Sequence, residues 1–140
     1  LGADFEGAFV ETFGRVVADA PRLVSGRALG DRLLTPIDFD APLRLVDLSG
    51  PGLGRLGADA RLCAGDYRAA QAWSRALWAH PEAPDGLLYR SRHDPSRLCA
   101  AVFERAAPRA RVRPGVSLVA FDLRPHLAGV LDLYGLGLVD

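Results

Sequence analysis

The residues able to do chemistry in this chain are few and scattered. A literal G-x-G-x-x-G stands at Gly52, Gly54 and Gly57, directly after an apolar alternation that ends at Leu48. In a dinucleotide-binding fold such glycines let the backbone approach a pyrophosphate at a helix N-terminus. Here Pro51 precedes the motif, the next ten residues have weak helical periodicity, and the chain is rich in glycine, with 15 of 140. The run reads as a flexible Gly/Pro loop. Cys63, Cys99, His80, His93 and His126 have no ligand spacing such as C-x-x-C, so no metal site is predicted. His93-Asp94, before Pro95, reads as a solvated loop pair. No Ser sits in G-x-S-x-G, and neither Cys has a neighbouring His. Arg109, Arg111 and Arg113 lack interleaved aromatics and read as a solvated face. Two groups stay open. Glu11, one of four Glu, lies mid-helix at the edge of an apolar stripe, where it is either an exposed partner of Arg15 at i,i+4 or a functional carboxylate. Ser91, between Arg90 and Arg92 at the end of an apolar run, is either a turn hydroxyl or a binding group at a strand end.

The elements that must carry these groups follow from periodicity. Phe5, Phe9, Phe13 and Val16 predict a helix over 4–20, with Asp4 as N-cap and Pro21 as stop. Between Arg27 and Ser49 two short strands are expected, the second over 43–48. Ser49–Gly65 reads as a connection. Asp66 is then expected to cap a helix to about Ala79 that buries Tyr67, Ala70, Trp73 or Ser74, and Leu77. Strands are expected over 86–91, 98–104 and 116–121, and a last helix over 125–133. This irregular order predicts one α+β domain rather than a doubly wound parallel sheet.

Composition bounds the function classes. All 17 basic residues are Arg, balanced by 17 Asp and Glu, and pI is near 7.0. That neutrality argues against general nucleic-acid or membrane-surface binding. No apolar run approaches the ~20 residues of a membrane span. Two Cys without a secretory leader read as free thiols in a cytoplasmic protein. There is no Met, so the sequence is expected to begin inside a longer protein.

Three stretches together resemble the RES-domain family, toxins of bacterial toxin–antitoxin pairs named for Arg, Glu and Ser. Leu1 to Glu11 resembles the family's opening helix, with Ala8 three residues before the signature Glu. Leu43 to Leu48 loosely matches its central strand. Asp66-Tyr67 with Gln71-Ala72-Trp73, then Asp85 to Arg92, resemble its Tyr/Gln helix and signature-Ser strand, continued by Leu98 to Arg105. Gly86-Leu87-Leu88-Tyr89-Arg90-Ser91-Arg92 is the most specific part. The family's signature Arg belongs ahead of Leu1, so residues 1–140 correspond to the domain without that upstream part.

The resemblance implies an ADP-ribosyltransferase-like mixed-sheet sandwich with flanking helices. It implies cleavage of NAD at the nicotinamide–ribose bond, with ADP-ribose passed to phosphate, water or a protein. Glu11 and Ser91 are then the catalytic residues, Arg92 a pyrophosphate ligand, NAD the substrate, and no metal is needed. The implied partner is an antitoxin with a helix-turn-helix DNA-binding part. Protein ADP-ribosylation and a non-catalytic interaction domain of the same fold are the competing readings.

Overall fold

The computed structural model describes residues 1–15, 21–59, 61–65 and 67–140. Helix and strand are interspersed, as expected for an α+β chain. The helices are α1 (Phe5–Phe13), α2 (Gly26–Gly30), α3 (Pro51–Arg55), α4 (Arg61–Ala64), α5 (Tyr67–Trp78) and α6 (Arg124–Leu133). The strands are β1 (Leu23–Ser25), β2 (Leu33–Leu34), β3 (Ile37–Phe39), β4 (Leu45–Leu48), β5 (Gly86–Arg90), β6 (Leu98–Val102), β7 (Ala110–Val112), β8 (Val116–Ser117) and β9 (Gly137–Val139). Three-residue-per-turn helices cover Glu104–Arg109 and Phe121–Leu123.

The largest sheet has the order β4-β5-β6, with β4 parallel and β6 antiparallel to the central strand. The chain's first residues extend its β6 edge, since Gly2 bridges Cys99 and Ala3 N–H donates to the Leu98 carbonyl at 3.0 Å. Two-stranded pairs β1-β9 (parallel), β2-β8 and β3-β7 (both antiparallel) complete the strands.

Two apolar cores flank α1 and the sheet. Phe9 packs with Val24, Leu29, Leu118, Leu127 and Val130 in the first, with Phe5 and Phe13 half-buried against it. Leu48, Leu62, Leu87 and Phe103 form the second, under Trp73 and Leu77 of α5. Burying one Phe of this kind contributes about 1.5–3 kcal/mol.

Several elements differ from expectation. Helix α1 stops at Phe13, with Gly14 as its C-cap. A Cβ on Gly14 would lie 2.3 Å from the Val10 carbonyl oxygen and 3.0 Å from the His93 Cβ, so the chain turns there on a residue without one. The Val16 part of the predicted stripe lies outside the described residues, as does the Asp66 cap. Segment 26–30 is a helical turn capped by Ser25, whose hydroxyl accepts from Ala28 N–H at 3.4 Å, followed by three short strands where two were expected. The Ser49–Gly65 connection contains α3 and α4. Strand β6 ends at Val102, two residues early, and β8 covers only Val116–Ser117, its expected remainder turning into Phe121–Leu123.

Helix α5 buries no residue fully, and Tyr67 is 74% exposed. A cleft of about 370 Å³ between α5 and the sheet, lined by Tyr67, Trp73, Tyr89 and Leu87, takes the place of close packing.

The glycine motif has a structural reason. A Cβ on Gly52 would come 2.0 Å from the Asp47 carbonyl oxygen, whereas nothing lies within 4 Å of one on Gly54. Gly52 lets α3 close on the end of β4. Gly52→Ala is therefore expected to cost about 1–3 kcal/mol through overpacking. Gly54→Ala, inside a helix, is expected to be neutral or to stabilise by up to about 1 kcal/mol. Urea unfolding of the two variants checks the contrast.

A buried acid fixes the start of β5. Asp85 is 7% exposed, and its carboxylate accepts from Arg44 N–H at 2.7 Å and pairs with the Arg109 guanidinium. The Arg44 N–H, then Arg109, hold its carboxyl below the usual range although burial opposes them. Arg109 is thus an anchor rather than part of a solvated face, while Arg111 and Arg113 are exposed and pair with Asp40 and Asp38 across β3-β7.

Because the Asp85 pKa is lowered on folding, its contribution is present above the ordinary carboxylate range and fades as pH falls through the folded value. Asp85→Ala should lose about 2–3 kcal/mol at neutral pH. The deficit relative to the parent should shrink in acid, as read from unfolding midpoints against pH.

Candidate functional site

Helix α1 presents two faces because its sequence has two stripes. Phe5, Phe9 and Phe13 enter the first core. Gly7 and Val10, both buried, turn toward β6 and the loop before it. A Cβ on Gly7 would lie 3.5 Å from the Arg97 Cβ and 3.6 Å from the Leu98 carbonyl oxygen, so a small residue sets the close approach. Glu11 lies one turn after Gly7 and is exposed. Its charge reaches the buried Cys99 of β6: burial first, then Glu11, pushes that thiol's pKa up. Cys99 is a free thiol, as expected; the side chain of Cys63 lies outside the described residues.

The Glu11–Arg15 ion pair, one of the two readings open for Glu11, does not form among the described residues. The reason is local, since α1 ends before Arg15 and the i,i+4 spacing is lost.

Ser91 follows β5 directly and is 1% exposed. Its Oγ accepts from His93 N–H at 3.1 Å and from Asp94 N–H at 3.3 Å, while its own N–H donates to the Arg97 carbonyl at 3.0 Å. The hydroxyl is the core of a turn, an arrangement Ser readily adopts by bonding to backbone two or three residues ahead. Arg92, the next residue, is exposed.

The loop after Ser91 is more ordered than a solvated pair. The Asp94 carboxylate accepts from Ser96 N–H (2.9 Å) and Ser96 Oγ (2.6 Å) on one oxygen, and from Tyr134 Oη (2.8 Å) on the other. The Ser96 hydroxyl is the chief cause holding its carboxyl below the usual range, with Tyr134 and Arg97 adding and burial opposing. Burial, then the bond to Asp94, pushes the Tyr134 phenol up to about 12.

Arg97 ties this loop to α1. Its Nη1 lies 2.9 Å from Asp4 Oδ2 and 3.5 Å from Glu6 Oε2, and its Nε lies 3.6 Å from Asp94 Oδ2. Asp4 is the helix cap, its Oδ1 accepting from Gly7 N–H at 2.7 Å.

The structure therefore brings the Glu11 helix and the Ser91 turn together through Gly14 against His93 and through Arg97. The 370 Å³ cleft under α5 is lined by residues other than Glu11, Ser91 and Arg92. A recess of about 90 Å³ beside α1 opens on its Phe5, Ala8 and Thr12 side instead. No group of three or more His, Cys, Asp or Glu suited to a metal occurs among the described residues. No helix among them is long and apolar enough to cross a membrane.

Sequence reasoning read Asp94 as part of a solvated loop pair and missed Arg97 and Tyr134. For Asp94 the signal available is Ser96 two residues on, since that spacing forms a side-chain turn. Ser91→Ala should leave two N–H groups of the turn unpaired and cost about 1–2 kcal/mol. Thermal unfolding, with amide exchange at His93 and Asp94, measures it.

Comparison with known proteins adds a lineage to this geometry. The chain is 36% identical over 105 residues to the probable toxin y4kH of Sinorhizobium fredii (strain NBRC 101917 / NGR234), which covers 74% of this chain and 80% of that protein. No solved structure matches the chain. The RES domain matches residues 1–124, a span that includes α1 with Glu11, the β4-β5-β6 sheet and the Ser91 turn. The chain belongs to the RES-domain family.

Proposed function

We propose that this chain is the toxin of a toxin–antitoxin pair and consumes NAD by cleaving its nicotinamide–ribose bond. The observation that carries the reading is that the family match covers residues 1–124, a span containing Glu11 and Ser91, whose elements Arg97 clamps to each other. The 36% identity to a protein described as a probable toxin supports the toxin role.

The chemistry asks for the residue types present. As the ribose C1′–N bond breaks, its electron pair leaves with the nicotinamide nitrogen and positive charge builds on the sugar ring. A carboxylate fixed on a helix stabilises that charge as it develops, which is the role of Glu11. The acceptor oxygen, from phosphate or water, then bonds to C1′ and sheds its proton to solvent. Ser91 shapes the turn that faces the ribose side, and Arg92, exposed beside it, offers a forked donor to the pyrophosphate. The upstream Arg implied by the family would be the main phosphate anchor.

Protein ADP-ribosylation would use the same bond cleavage with a protein side chain as acceptor. A second reading, a non-catalytic interaction domain, has a specific observation in its favour: the Ser91 Oγ is already engaged by two backbone N–H groups in a buried turn. The partner in the toxin reading is an antitoxin with a helix-turn-helix part, which would make the DNA contacts that this neutral chain is not charged to make.

Incubating the full-length protein with NAD should release nicotinamide, faster with phosphate if phosphate is the acceptor. Biotinylated NAD labels protein bands only if a protein is the acceptor. Glu11→Ala should lower turnover by about a hundredfold or more without shifting the melting temperature, since Glu11 is exposed. An intact protein that releases no nicotinamide supports the interaction-domain reading. Copurification of a small neighbouring-gene product tests the antitoxin.

A further inference from the structure

Tyr134 stands just past α6, beyond residue 124 where the RES match ends, yet its hydroxyl reaches the turn that holds Ser91. It donates to Asp94 Oδ2 at 2.8 Å, and that same oxygen is 3.6 Å from Arg97 Nε. Arg97 continues to Asp4, whose other carboxylate oxygen caps α1. In the opposite direction, the Asp94 N–H points at Ser91 Oγ. One line of polar contacts thus runs from a phenol, through a carboxylate, to both elements that carry the candidate groups.

Two features separate this arrangement from ordinary packing. The Tyr134 ring lies against the first core, so a Phe would fill the same space. The Asp94 carboxylate is bound at both oxygens, so it cannot turn about its last torsion without losing a donor. The hydroxyl therefore adds orientation to what the ring supplies in burial.

We propose that Tyr134 is a positioning residue which, through Asp94 and Arg97, sets the placement of the Ser91 turn relative to the Glu11 helix. The inference rests on the reading of this site as an NAD-cleaving centre. A catalytic geometry loosened by a fraction of an ångström loses rate while substrate affinity changes little.

The test compares Tyr134→Phe and Glu11→Gln with the parent in the full-length protein, using NAD itself and following nicotinamide. Tyr134→Phe is expected to lower kcat about tenfold, or up to a hundredfold, with KM within about twofold. Amide exchange at His93, Asp94 and Gly7 should rise about tenfold while the β5 amides keep their protection. Asp94→Asn should act in the same direction.

Full turnover by Tyr134→Phe beside an inactive Glu11→Gln overturns the positioning role. A parent that releases no nicotinamide, or a Glu11→Gln that matches it, defeats the NAD reading, and the exchange map then decides alone. Faster exchange confined to the turn and the start of α1 upholds the link; a uniform rise, or none, overturns it.

Discussion

Arg97 meets three carboxylates drawn from two distant parts of the chain, Asp4 and Glu6 at the start of α1 and Asp94 in the loop after β5. Its side chain is 27% exposed, so each pair is screened and worth little as stability alone. What the guanidinium supplies is direction. A planar fork can satisfy several oxygens only in one orientation, and this one fixes a helix cap against a turn. Its buried Nε lies 3.6 Å from Asp94 Oδ2, an ion-pair contact rather than a hydrogen bond. The acids at the helix start also face the positive end of the α1 dipole, so the same charges serve capping and clamping.

Around that clamp the packing is divided. The aromatic side of α1 belongs to a core shared with α6 and β1, while its small side lies on β6. Gly7 and Gly14 make the approach close enough for Arg97 and His93 to sit against the helix. The second core, under α5, is looser and leaves a cleft over the sheet face carrying Leu87 and Tyr89. Asp85 and Arg109 close the opposite end of that sheet, so β5 is held at its start by a buried acid and at its end by a buried hydroxyl.

The two candidate groups of the proposed reaction thus stand in different physical states. Glu11 is exposed on α1; Ser91 is buried, with its hydroxyl engaged in the turn it organises. In the proposed mechanism the acid provides the electrostatics and the serine the shape. The RES match spans both positions, and the competing interaction-domain reading draws on the engagement of the Ser91 hydroxyl.

The sequence by itself determined the local facts: the Asp4 cap and the phenylalanine stripe of α1, strand β5 with Ser91 at its end, the last helix, and the α+β order. These rest on periodicity and capping, which involve neighbours along the chain. It also carried the family, through runs such as Gly86 to Arg92. Only the tertiary structure decided where α1 stops, because Gly14 ends it against His93, a residue far away in sequence. It alone showed that Arg109 is an anchor, that Gly52 packs against the Asp47 carbonyl, and that Tyr134 reaches Asp94. Each of these depends on a partner tens of residues distant or on a close backbone approach, and neither leaves a periodic trace in the chain.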